Sequence, residues 1–277
     1  MFIAFQYGKN LILKITPTQP KVEKIVETLD AWKAKWNNKV NHYCQSDVFS
    51  TASPEFQRAT SLVLQRYWEN ENTKNTLMTI RVNQSCLDIK YANSVDEMSG
   101  ADGVFLFSKE NSSPKGLRIL VNPDYKLQDD LTTALLLSHE LTHAEQFILQ
   151  DVSKRIIQEC NNEASQSFCD NLQSMDGVGF YLEESSNVCV RREAQAYYNE
   201  NLFYAVLKKV EQDNIGLRAR IVQASQTNLP AYAFITQFNI LEIKCPLNTS
   251  TDVNNFMNCL SDVYIRSQPF YQKECNL

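Results

Sequence analysis

His139-Glu140-Leu141-Thr142-His143 puts two imidazoles and a carboxylate at a spacing suited to metal chemistry. Histidines at i and i+4 share one face of a helix, close enough to hold a single Zn²⁺, and the glutamate between them turns towards a water on that ion. The chain contains 3 histidines in 277 residues, and two fall in this pentapeptide, so coincidence is a weak explanation for it. A hydrolytic zinc site usually takes three protein ligands and leaves a fourth position to water. The remaining histidine, His42, lies far upstream with no motif around it, so a carboxylate is the simpler third ligand.

The surrounding residues must form a helix for this spacing to matter. Leu131 to Gln150 reads as one, with Asp129 and Asp130 at its start to suit the positive helix end. Ala134, Leu137, Leu141, Ala144 and Ile148 recur at i, i+3, i+4 and form an apolar stripe for the core. Leu136, Glu140, His143 and Phe147 line a different face, with His139 beside them. The chemistry thus projects from the side opposite the core stripe, as a metal site on a cleft floor requires.

With that motif on that helix, the chain resembles the zincin metallopeptidases, and more narrowly the gluzincins, whose third ligand is a glutamate on a downstream helix. Two positions qualify. Glu193 stands in Arg191-Arg192-Glu193-Ala194-Gln195-Ala196-Tyr197-Tyr198; ligand glutamates in small gluzincins, including those like the ImmA/IrrE group, often precede an alanine, because small residues let the second helix approach the first. Glu163, in Asn161-Asn162-Glu163-Ala164-Ser165, lies twenty residues after His143. That is similar to the spacing in thermolysin-like enzymes, although Ser167 stands where they carry an aspartate and no downstream catalytic histidine exists. A fainter resemblance, through Cys160, Cys189-Val190-Arg191-Arg192 and Cys259, is to mitochondrial peptidases that process an ATP-synthase subunit; it also points to Glu163. Glu193 is the preferred ligand and Glu163 the alternative. A solvated helix face is the commonest fate of either.

The resemblance implies a zinc-dependent metallopeptidase acting on a protein or peptide substrate. His139, His143 and Glu193 or Glu163 would hold Zn²⁺, and Glu140 would take a proton from water and pass it to the leaving amine. Tyr197, one turn after Glu193, is the candidate donor to the negative oxygen that develops on the substrate, against the plainer role of an aromatic packed between helices. His42, Arg191 and Arg192 are weaker candidates. The rivals are a catalytically silent zincin fold used as a binding or effector module, an effector peptidase with one host or partner target, and a non-peptidase hydrolase on the same metal site.

The rest of the chain bounds the setting. Hydrophobic residues make up 43% and charged residues 21%, ordinary values for a soluble globular protein. A net charge of -5 with no basic stripe argues against nucleic acid and against an anionic membrane surface. No apolar run is long enough to span a bilayer, and no signal-peptide core is visible. Eight cysteines, several bracketing residues 160–189 and the C-terminus, suit disulfides in an exported protein, with buried free thiols as the alternative. No Cys-x-x-Cys pair suggests a structural zinc site.

The pattern predicts an α+β, zincin-like fold: a single catalytic domain over 1–277, with an α+β part (1–127) and a helical part carrying the site (128–277). A short hairpin over 2–16 and helices over 20–37 and 53–68 come first. Strands follow over 77–82, 86–91, 103–108 and 117–121, the last two joined by a polar loop (109–116). After the motif helix, helices are predicted over 153–174, 187–212, 216–226, 230–241 and 252–264, with a glycine-containing stretch (176–187) between the first two. Either 103–108 or 117–121 would be the sheet edge above the cleft, where an extended peptide adds as a strand.

Overall fold

The computed structural model describes residues 48–49, 52–82, 87–98, 101–108, 115–127, 130–163, 169–170, 185–213, 243–245 and 253–277. The expected hairpin over 2–16, the helix over 20–37, His42 and the helices over 216–226 and 230–241 lie outside these residues. So do most of the loop over 109–116 and of the stretch over 176–187. Among the described residues the architecture is α+β, mostly helical with a small mixed sheet.

The Ser53-Pro54-Glu55 start signal opens a 3₁₀ turn that continues into α1 (Gln57–Arg66), with Pro54 at the position where a missing N–H costs nothing. Next comes α2 (Glu71–Val82). Here the structure corrects the sequence: Leu77 to Val82, rich in β-branched residues, is helical. Thr73, Thr76, Leu77 and Ile80 are buried at helical spacing. The hydroxyls of Thr73 and Thr76 find acceptors at the Tyr67 carbonyl (2.8 Å) and the Glu145 carboxylate (2.7 Å). Those tertiary partners override the local preference of threonine and isoleucine for strands.

The sheet contains β1 (Leu87–Tyr91), β2 (Gly103–Ser108) and β3 (Lys115–Val121) in the order β1-β3-β2. β3 pairs parallel with β1, Ile119 opposite Ile89, and antiparallel with β2, Ile119 opposite Phe105. Of the two candidate edges, β3 is therefore central and β2 is the edge. Leu87, Ile89, Leu117, Ile119 and Val121 are buried together with Phe56, Val63, Leu77 and Ile80 in the main core.

Helix α3 (Asp130–Glu163) crosses this core for 34 residues. Ala134, Leu137, Leu141, Ala144 and Ile148 are all buried in it, as the apolar stripe requires. The predicted interruption between 150 and 153 does not occur, so the two expected helices are one. Beyond it lie α4 (Ser186–Asp213), α5 (Val253–Val263) and α6 (Pro269–Glu274). α4 shares a second core with the C-terminal helices, built on Ala194, Tyr197, Tyr198, Phe256, Leu260, Ile265 and Tyr271.

The six described cysteines are paired. Cys160–Cys169, Cys189–Cys275 and Cys245–Cys259 are disulfides, so for these six the disulfide alternative holds over free thiols, which is compatible with an extracellular protein. No described helix is long and apolar enough to cross a membrane.

Candidate metal centre

α4 lies antiparallel to α3, and polar side chains along the seam fix the register. Asn199 Nδ2 donates to Thr142 Oγ1 (3.0 Å), and Gln146 Nε2 donates to the Arg192 carbonyl (2.9 Å) and to Gln195 Oε1 (3.0 Å). This register sets Glu193 opposite His139 and His143. Their ligand atoms come within 4.8 Å of one another, the sole such group of metal-ligating side chains among the described residues. His139 Nε2 and His143 Nε2 are 3.2 Å apart. Glu193 Oε2 is 3.5 Å from the first and Oε1 is 3.5 Å from the second. Tetrahedral coordination at the bond lengths usual for zinc puts ligand atoms about 3.3 Å apart. Each of the three contacts is near that figure, with the carboxylate meeting the two nitrogens through different oxygens.

The outer nitrogens explain why the inner ones converge. His139 Nδ1 lies 3.1 Å from Glu200 Oε2, and a carboxylate can only accept from it. His143 Nδ1 lies 3.0 Å from Gln146 Oε1, and the amide orientation follows from its Nε2 donating to the Arg192 carbonyl. Both Nδ1 atoms therefore carry the hydrogen, and both Nε2 lone pairs point at one place alongside a carboxylate. Facing nitrogens at this distance need a shared proton or a metal cation between them, so the donor set fits a metal ion. Burial disfavours charge on His139, yet hydrogen bonds to Glu193 and Glu200 outweigh it and raise its pKa well above the ordinary value. His143 is raised too, against burial, chiefly by Glu193. Burial works against Glu193 as well, but the His143 charge leads in holding its carboxyl far below the usual range. The field at the junction favours positive charge.

Glu140 sits beside this cluster, buried on the same helix. Burial raises its pKa, the two imidazoles pull it back, and the Phe105 backbone N–H on β2 donates to its carboxylate. β2 approaches so closely that a Cβ on Gly103 would lie 2.7 Å from Glu140 Oε1 and 3.0 Å from its Cγ. A cleft of about 1020 Å³ opens here, with His139, Glu140 and Glu193 in its lining, β2 along one side and residues of α6 along the other.

Of the residues singled out in the sequence, His139, Glu140, His143 and Glu193 meet at this site. Glu163 does not. It ends the same unbroken helix as the histidines, twenty residues past His143 or about 30 Å along the axis at 1.5 Å per residue. Tyr197 reaches the site with its ring edge-on to His139, centroids 4.6 Å apart, while its hydroxyl lies 2.7 Å from that of Tyr271. The sequence reading missed Glu200, Gln146 and Tyr271. Glu200 stands seven residues after Glu193 and Gln146 three after His143, so helical spacing carried a signal for both; nothing local marks Tyr271. Comparison with protein-family models, with curated proteins and with solved structures finds no match to this chain.

Proposed function

We propose that the chain is a zinc-dependent metallopeptidase of the zincin type, gluzincin-like in its third ligand, with His139, His143 and Glu193 holding the metal. The observation that carries this reading is the convergence of the three donor groups with Glu140 buried beside them. Zn²⁺ in such a site lowers the pKa of a bound water and polarises the carbonyl to be attacked. Glu140 accepts the proton of the attacking water and delivers it to the leaving nitrogen, its pKa raised by burial towards the range useful to a general base. Glu200 and Gln146 fix the tautomers and ring orientations of the two histidines. The edge strand β2 offers backbone groups to an extended peptide, which makes an unfolded or loop segment of a protein the expected substrate.

The test is cleavage of a quenched-fluorescent peptide pool by the zinc-loaded protein, beside Glu140→Gln and beside protein treated with a chelator. Cleavage that both changes abolish, and that zinc restores after chelation, is the expected result. A loaded wild type that cleaves nothing, or a Glu140→Gln variant as active as wild type, refutes the reading. The former outcome would leave a binding or effector module on the same metal site.

A further inference from the structure

Successive side chains of a strand point to opposite faces, so Gly103, Phe105 and Phe107 share one face of β2, and Val104 and Leu106 share the other. The first set faces α3. Gly103 closes on Glu140, and the rings of Phe105 and Phe107 meet that of Phe147 at centroid distances of 5.8 and 4.1 Å, the second pair stacked. Phe147 lies one turn past His143, about 6 Å along the helix axis. Phe107 lies two residues past Phe105, about 7 Å along the strand. Strand and helix therefore advance together, from the metal ligands and Glu140 to this aromatic cluster.

The cluster has a fixed base and an open top. Phe105 and Phe147 are half-buried and pack against the main core, whereas Phe107 stays 47% exposed. All three line the cleft that holds His139 and Glu140. On the opposite face of the strand, Val104 packs against the chain's own Ala92, Met98 and Leu120. Among the described residues β2 pairs on one side only, and the Phe105 N–H donates to the Glu140 carboxylate in the cleft. A large ring open to water on a sheet edge is a liability where that edge has no use, because such edges template association. Set in the cleft beside the proposed base, it is an apolar surface for a bound peptide to cover.

We propose that Phe105, Phe107 and Phe147 form a specificity subsite, which takes an aromatic or large aliphatic side chain about two residues before the bond that is cleaved. The inference rests on the peptidase reading and names the substrate class: an extended segment with such a residue at that position. When a peptide adds to β2, residues opposite each other point to the same face of the sheet. The residue opposite Phe107 therefore directs its side chain towards α3 and onto the aromatic cluster. The residues opposite Gly103 and Phe105 lie over Glu140, where the reacting carbonyl has to be. Antiparallel pairing is the more stable arrangement, and β2 already makes it with β3. A peptide running that way passes Phe107 first and Glu140 second, so the recognised side chain is on the N-terminal side of the cleaved bond.

The test gives the zinc-loaded full chain a series of peptides rich in Ala and Ser, each with one Phe moved along the sequence. Mass spectrometry of the fragments locates the cut, and kcat/KM is compared with that of the parent peptide lacking Phe. Wild type should cut about two residues after the Phe and favour it about 10–100-fold over the parent, the factor that burying one aromatic side chain carries. Phe107→Ala should bring that ratio below about 5-fold while bound zinc stays near wild type. Leu106→Ala, on the same strand and 41% exposed but facing away, should keep the wild-type ratio. Overturning results are a ratio in Phe107→Ala within about twofold of wild type, an equal loss in Leu106→Ala, or a cut directed to the N-terminal side of the Phe. A dimer that Phe107→Ala dissociates would assign the cluster to a second copy of the chain and also overturn the proposal. If wild type cuts no peptide, the peptidase reading fails, and fluorescence anisotropy of the labelled series decides the subsite by itself. Phe-dependent binding that Phe107→Ala abolishes keeps the subsite, and its absence removes it.

Discussion

Replacing Gly103 with alanine adds one methyl group at the tightest approach in the site. The new Cβ would stand 2.7 Å from Glu140 Oε1 and 3.0 Å from both Cδ and Cγ, where ordinary contact begins near 3.4 Å. The backbone at Gly103 is not in the left-handed region, so the cost arises from side-chain space alone. The carboxylate tip has to retreat by about 0.7 Å and Cγ by about 0.4 Å, as the contact distances require. Glu140 is buried and cannot swing into solvent, so either it leaves its hydrogen bond to the Phe105 N–H or β2 shifts outward. A misplacement approaching 1 Å in a group that must take a proton costs on the order of 100-fold in rate. Overpacking should also lower stability by about 1–3 kcal/mol. The assay is kcat/KM on a cleaved peptide together with bound zinc and a urea unfolding midpoint. Gly103→Ala should retain its zinc, since no ligand is displaced, and lose most of its activity. Activity within about twofold of wild type would show that Glu140 has more freedom than the burial allows, and its role as the positioned base would fail with it.

Two further outcomes follow from the supporting residues. Glu200→Gln keeps the shape of the His139 partner but removes its charge, so zinc affinity measured by competition with a chromophoric chelator should fall about 10–100-fold; an unchanged affinity would reduce Glu200 to packing. Burial raises the Glu145 pKa to about 7, partly offset by hydrogen bonds from Thr76 and Thr79. Because the folded value lies above the unfolded one, that stabilisation of the protonated form is present below about pH 4.5 and lost as pH rises through about 7. Glu145→Gln cannot ionise, so its urea midpoint at about pH 8 should exceed that of wild type by the equivalent of up to about 3 kcal/mol, with the gap closing towards about pH 5. A gap independent of pH would contradict the assignment.

Local repetition made half of the site legible. The i, i+4 histidines and the apolar stripe on α3 both follow from one helical period, and neither needs a tertiary partner to be seen. Glu193 was readable as a candidate but not separable from Glu163 until α3 ran unbroken to Glu163 and carried that residue away. The break expected near 150–153 had no strong signal behind it, since no Pro or Gly stands there. Leu77 to Val82 misled because β-branched residues favour strands, whereas here the Glu145 carboxylate and the Tyr67 carbonyl accept from the threonines of a buried helix. Which cysteines pair, and that Cys275 brings Tyr271 to the cleft, depend on contacts between distant segments. No pattern within a window of sequence encodes such contacts.

The central claim is that His139, His143 and Glu193 together hold one metal ion. Its most direct test is zinc content after reconstitution and gel filtration, for wild type beside Glu193→Ala and Glu163→Ala. About one zinc per chain in wild type and in Glu163→Ala, with loss in Glu193→Ala, is the expected result. Zinc retained by Glu193→Ala but lost from Glu163→Ala, or absent from wild type, would contradict it.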